Sequence, residues 1–259
     1  IEDMQTFSGN LVSNGDFSQE GSELLTNGDF ATDSGWSKGT GWSISGGSAS
    51  RTAQSGSTAC DQSISLNANK TYKIVYDLTV DAGSFNVRFS GTTNVNGETR
   101  TTSGTYTDYL KAATGNNTFR LVGADSTFTG SIDNVSVKEV GQDWDLNTGW
   151  SIGDGKATFE NSQGAGNLIQ TSVLEVGKYY KLTFDTLETN STTFAYSFGG
   201  GFEFINPIEP NSTYTVFDTA SSTSIRLRGT SLFNGSITNI SVIEITDDTN
   251  LPRIDYSPY

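Results

Sequence analysis

The chain of 259 residues has no histidine and one cysteine, Cys60, and only 17% of it is charged. Without histidine, no Ser-His-Asp triad and no histidine-ligated metal is available, and a single thiol forms neither an intrachain disulfide nor a thiolate cluster. No run of about 18 apolar residues is present to span a membrane, and Ile1 to Asn10 lack the basic and apolar regions of a signal peptide. The chain starts without Met and stops at Tyr259 in mid-segment, so an excerpt of a longer polypeptide is expected. Positive charge is scarce: 15 Lys plus Arg stand against 29 Asp plus Glu, a net −14 that repels phosphate backbones and anionic headgroups. No nucleic acid partner and no membrane insertion are expected.

What is present is glycine (29), serine, threonine and 34% hydrophobic residues, enough for two cores and suited to short strands with tight turns. The fold class expected is all-β. The strongest signal is an internal repeat. Thr40-Gly41-Trp42-Ser43-Ile44 returns 108 residues later as Thr148-Gly149-Trp150-Ser151-Ile152, and Gln62 to Leu66 returns as Gln170 to Leu174. Lys70 to Ile74 returns as Lys178 to Leu182, Phe119-Arg120-Leu121 as Ile225-Arg226-Leu227, and Phe128 to Ile132 as Phe233 to Ile237.

Two copies in one chain are themselves a comparison. Tyr72, Ile74, Tyr76, Leu78 and Val80 alternate with Lys73, Val75, Asp77 and Thr79, the period of a strand with one face on a core. Tyr180, Leu182 and Phe184 repeat that face. Asn69 becomes Gly177, an exchange suited to a turn with positive φ. Cys60 aligns with Leu168, so a small buried hydrophobe is expected there. The expected organisation is an N-terminal strand or linker segment (1–23), two tandem antiparallel β-sandwich modules (24–140 and 141–246) and a C-terminal linker (247–259). Asn14-Gly15-Asp16-Phe17 duplicates Asn27-Gly28-Asp29-Phe30, as a partial third unit or an added strand.

Asn27-Gly28-Asp29-Phe30, Gly41-Trp42-Ser43, Gln62 ahead of the Tyr72 strand, and Ile132-Asp133-Asn134-Val135-Ser136-Val137 occur in that order. In series they resemble the carbohydrate-binding modules of families 4 and 9, jelly-roll sandwiches of the galactose-binding-like group. The second copy keeps Trp150, Gln170, the Tyr180 strand and Ile237-Thr238-Asn239-Ile240-Ser241-Val242, without an Asn-Gly-Asp-Phe start of its own. The resemblance implies glycan contact on one sheet. It also implies a structural calcium in the first module, held by oxygens near Asp29 and Asp133, and none in the second, where Thr238 replaces Asp133. Asn250 to Tyr256 resembles a segment that follows such modules in bacteriophage tail and virion surface proteins.

Sugar recognition needs aromatic faces and planar amide or guanidinium groups. Trp42 and Trp150, in apolar-flanked strands, are expected in the core. Trp36 and Trp144, in polar, Gly-rich surroundings, are expected at the surface, where they either stack on sugar or pack. Asn86 and Arg88 share one face of the strand Phe85 to Phe89, as a groove lining or a solvated outer face. Arg120 with Arg226, and Asp77 with Asp185, are read as an ion pair in each module or a polar ligand contact. Gln62 and Gln170 either lie near the binding face or bond to backbone. Paired carboxylates could build a glycosidase site, yet no pair recurs in both copies, so no enzyme is expected.

The leading expectation is a non-catalytic carbohydrate-binding tandem module of a phage virion surface or tail-fibre protein, homo-oligomeric, virion-surface or extracellular. Its expected partners are a host glycan or polysaccharide and other virion subunits. The alternatives are a structural spacer or capsid decoration without ligand, and an accessory module of a secreted polysaccharide-degrading enzyme.

Overall fold

The computed structural model describes residues 6–56, 58–161, 164–190 and 192–246. In chain order their strands are β1 (Thr6–Phe7), β2 (Glu20–Glu23), β3 (Ser37–Lys38), β4 (Trp42–Ser45), β5 (Ser48–Arg51) and β6 (Ala59–Ser63). There follow β7 (Thr71–Ala82), β8 (Phe85–Ser90), β9 (Val95–Asn96), β10 (Gly104–Lys111), β11 (Thr118–Gly123) and β12 (Thr129–Val140). The rest are β13 (Asp145–Leu146), β14 (Trp150–Gly153), β15 (Lys156–Phe159), β16 (Gly166–Gln170) and β17 (Tyr179–Leu187). Then come β18 (Phe194–Ser197), β19 (Glu203–Ile205), β20 (Thr213–Thr219), β21 (Ile225–Gly229) and β22 (Gly235–Thr246).

They form two all-β sandwiches with the same antiparallel topology. In the first, a sheet ordered β10-β7-β12-β5-β4, extended by β2 on β12, packs on a sheet ordered β3-β6-β11-β8-β9. In the second, β14-β15-β22-β17-β20, extended by β1 on β22, is the counterpart of the first sheet, and β13-β16-β21-β18-β19 of the second. The alternation seen in sequence sets the faces. Tyr72, Ile74, Tyr76 and Leu78 are buried while Lys73, Val75 and Asp77 are not, and Tyr180, Leu182 and Phe184 repeat this. The buried tyrosines keep their hydroxyls bonded: Tyr72 accepts from the Asn67 amide at 2.7 Å and Tyr180 from Glu175 at 2.8 Å. Asn69 and Gly177 both sit at positive φ, 67° and 85°. Cys60 and Leu168 are fully buried, and burial pushes the thiol up to about 12.

The second sandwich is discontinuous in sequence. The chain divides into two compact units, one built mainly from residues 18–142 and the other from the segments on either side of it. The opening that the second copy lacks in its own stretch is supplied by Asn14 to Phe17. Asn14 and Phe17 have φ of 49° and 56°, as Asn27 and Phe30 have 54° and 48°. A positive φ on phenylalanine is strained, and the packing of the ring offsets it. Phe17 lies 5.6 Å from Trp144, and Phe30 lies 5.1 Å from Trp36. The Ile240 amide donates to Gly15 O at 2.9 Å, as the Val135 amide does to Gly28 O at 2.8 Å. Asn14-Gly15-Asp16-Phe17 is thus the first turn of the second sandwich, with the whole first sandwich inserted between it and β13.

Candidate functional site

Several repeated polar and aromatic residues hold this architecture through hydrogen bonds to its own turns and bulges. Trp36 and Trp144, expected at the surface, are 8% and 0% exposed. Their indole N–H groups donate to Asn27 O at 3.0 Å and Asn14 O at 3.1 Å. The polar residues around them are exposed, while the ring turns under the Asn-Gly-Asp-Phe turn, so neither face is open for stacking on a sugar. Gln62 clamps the same turn: its Oε1 accepts from the Thr26 amide at 2.8 Å and its Nε2 donates to Thr26 O and Gly35 O. Gln170 does the same with Ser13, at 2.9 Å each way. The backbone-bonding alternative therefore accounts for both glutamines. Trp42 and Trp150 are buried, and the Trp150 indole donates to Gly166 O at 2.9 Å.

Asp77 and Asp185 do not pair with the repeated arginines. Each accepts from the asparagine of a β-bulge on the last long strand, Asn134 at 2.8 Å and Asn239 at 2.7 Å. Each also accepts from a threonine across the sheet, Thr105 or Thr213. These hydrogen bonds lower the Asp77 carboxyl below its ordinary range. The bulge asparagines have φ of 51° and 52°, so the aspartates fix a strained backbone.

The remaining candidates come together on the outer face of the β6-β11-β8 sheet. Antiparallel register sets Ser37, Asp61, Arg120, Arg88 and Asn96 side by side across five strands. Residues directly opposite point the same way, so this row runs across one face. Arg120 Nη2 lies 3.1 Å from Asp61 Oδ2, and Arg88 Nε donates to Asn96 Oδ1 at 2.6 Å. Burial pushes the Asp61 carboxyl up, against the pull of Arg120. Asn86 and Ser90 flank the row on β8 and are buried. Asp61 Oδ1, Asn86 Oδ1, Ser90 Oγ and Arg120 Nε have no hydrogen-bond partner among the described residues. Unpaired buried polar atoms are costly and normally mark where water or a ligand completes the network.

The equivalent face of the second sandwich is built differently. Ile169, Arg226 and Ser197 are opposite one another, and Asn167, Arg228, Ala195 and Phe204 form the next row. Both guanidinium groups lie over the Phe202 ring, Arg226 at 5.7 Å and Arg228 at 4.7 Å, and Arg226 Nη2 donates to Gly199 O at 2.7 Å. Phe204 is 63% exposed beside them. Asn167 Oδ1 and Arg226 Nε have no hydrogen-bond partner among the described residues. Asp61, Asn96, Arg228, Phe202 and Phe204 are contributors that sequence reasoning did not single out. Strand alternation was the signal that could have found two of them: Asp61 stands between the inward Cys60 and Gln62 on β6, and Arg228 two residues after the repeated Arg226 on β21.

Asp29 Oδ1 accepts from the Ala31 amide at 3.3 Å, a turn contact, and Asp133 Oδ1 from the Asn134 amide at 2.6 Å. Among the described residues no three of His, Cys, Asp and Glu cluster as a metal site. The Thr238 hydroxyl, at the position of Asp133, donates to Gly155 O at 2.7 Å. The position thus carries a carboxylate in the first module and a hydroxyl bonded to backbone in the second.

An open cleft of about 490 Å³ lies at one end of the second sandwich, among Thr158, Glu160, Glu188, Asn190, Asn234 and Ser236. Its amides are committed to the loops that shape it: Asn190 Nδ2 donates to Leu232 O, and Asn234 Oδ1 accepts from the Asn161 amide. Phe159 beside this cleft takes the place of Arg51, which in the first sandwich is buried and bonded to Thr58, Gly56, Asp125 and Phe128.

No protein-family model matches the chain, and no curated protein does. Among solved structures, a xanthan lyase of Paenibacillus matches at 16% identity and a TM-score of 0.30. The match covers 83% of this chain and 25% of the lyase chain, so this chain spans about a quarter of that protein.

Proposed function

We propose that the chain is a non-catalytic pair of carbohydrate-binding modules that contact glycan through the outer faces of the β6-β11-β8 and β16-β21-β18 sheets. The observation that carries this is the row Asp61, Arg120, Arg88 and Asn96, with unsatisfied polar atoms on Asp61, Asn86, Ser90 and Arg120 around it. Carboxylate, amide and guanidinium groups each present two parallel sites, which match a vicinal pair of sugar hydroxyls. In the second module the exposed Phe204 supplies a face for the apolar side of a pyranose. Calcium near Asp29 and Asp133 belongs to the same proposal for the first module, read out as a rise in its melting temperature with calcium over chelator.

The virion-surface setting, with other virion subunits and a homo-oligomer, rests on Asn250 to Tyr256, which lie outside the described residues. Reading the adjoining sequence tests it. The binding role is tested by titrating the chain, Arg88→Ala and Phe204→Ala against a panel of neutral and acidic glycans. Saturable binding that weakens about tenfold or more in a variant of unchanged melting temperature supports it. No binding by the folded chain overturns it.

A second reading, a spacer covered by neighbouring subunits, draws on Tyr179 and Phe217. They stack at 6.3 Å on the outside of the β17-β20 pair, 46% and 48% exposed. Phe217→Glu would then lower the oligomeric state seen by light scattering.

A further inference from the structure

We infer that, granted the carbohydrate-binding reading of these faces, the glycan is anionic, a polysaccharide carrying carboxylate or sulfate that meets a pair of arginines on each module. The chain is strongly acidic and has seven arginines, and four of them, Arg88, Arg120, Arg226 and Arg228, stand on these two faces. Arg88 and Arg120 are direct cross-strand neighbours, an arrangement that like charges disfavour. Each guanidinium is held by a partner on its far side, Asp61 for Arg120 and Asn96 for Arg88. The one carboxylate in this row therefore balances one of two positive charges.

The second copy supplies an independent comparison. Arg226 matches Arg120, but Ser197 stands in the place of Arg88, and the second positive charge reappears as Arg228 in the place of Val122. Two charges are thus present on each face, although the second one has moved to another strand. Phe202 lies under both guanidinium groups and orients them before a ligand arrives. Asp145, in register with Ile169 and Arg226, is the carboxylate of that row, two strands from the arginine. A guanidinium fork meets carboxylate or sulfate oxygens through two parallel hydrogen bonds, whereas a neutral sugar leaves its charge uncompensated.

The test is calorimetric titration of the whole chain with two matched pairs of polymers, polygalacturonate against its methyl ester and a sulfated galactan against its desulfated form. The expected result is that the acidic member of at least one pair binds about tenfold or more tighter, that the preference shrinks at high salt, and that an Arg88→Gln, Arg228→Gln double variant loses it. Equal binding of both members, binding of neutral polymers alone, or a preference unchanged in the double variant overturns the anionic inference and leaves the carbohydrate-binding reading standing. Silence of all four polymers and of the wider panel, with the chain folded, overturns both.

Discussion

The indole N–H of Trp144 donates to the main-chain oxygen of Asn14, 130 residues earlier in the chain, at 3.1 Å. Gln170 reaches Ser13, and Ile240 reaches Gly15, across similar or longer gaps. The second sandwich closes only when the segment ahead of the first sandwich folds back onto it. A fragment of residues 141–246 lacks that turn and loses the hydrogen bonds that Trp144 and Gln170 make to it, each at a cost of about 1–3 kcal/mol. The expected outcome is a fragment that is unfolded or molten by near-ultraviolet circular dichroism. Residues 8–17 joined to 143–246 by a short Gly-Ser linker should fold cooperatively, as should 18–142 alone.

The two Asn-Gly-Asp-Phe turns admit a paired substitution. A Cβ on Gly28 would stand 2.0 Å from Val135 O, and one on Gly15 would stand 2.0 Å from Ile240 O. Both obstacles are backbone atoms held by the bulge, so no rotamer relieves the clash. Gly28→Ala should destabilise the first module by about 3 kcal/mol and Gly15→Ala the second by a similar amount. Denaturant unfolding of the separately folded modules measures each.

The sandwich cores were legible in the sequence because period-two alternation and the repeat report the same thing, burial on one side of Tyr72 to Leu78 and of Tyr180 to Phe184. The Asn69 to Gly177 exchange was legible because backbone geometry restricts the residue. Trp36 and Trp144 were not, because the groups that bury them are a turn nine residues away in one module and 130 in the other, while their immediate neighbours are polar. Asp77 was coupled to Arg120 on retention alone, yet register sets Arg120 against Asp61 and Asp77 against a bulge. Arg228 escaped notice because the comparison of copies favours retained residues, and this charge has changed strands.

Acid should weaken the first module through Asp125. Its carboxylate accepts from the Ser84 hydroxyl and from Thr127, which hold it down at about 2, below the unfolded value of about 3.9. A carboxyl lowered by folding contributes stability above its unfolded value and loses it as the pH falls toward the folded one. Asp125→Asn should therefore be less stable at pH 7 and show a shallower loss between about pH 4 and 2. Other carboxylates titrate in both proteins, so the difference between the two stability curves isolates this one.

Cys60 offers a reporter confined to one module. It is fully buried between Lys38 of β3 and Leu121 of β11 in the register of its sheet, and its thiol is pushed up to about 12, by burial first and then by Asp61. Native chain should react with a thiol reagent only when the first module opens, because the thiolate is the reactive form and the second module contains no cysteine. Under conditions where reclosing outruns labelling, the rate follows the stability of that module. Gly28→Ala should then accelerate labelling about a hundredfold, the factor that about 3 kcal/mol implies, while Gly15→Ala leaves it unchanged. Equal acceleration by both would mean that the modules open together, and the insertion would have to be read as one cooperative unit.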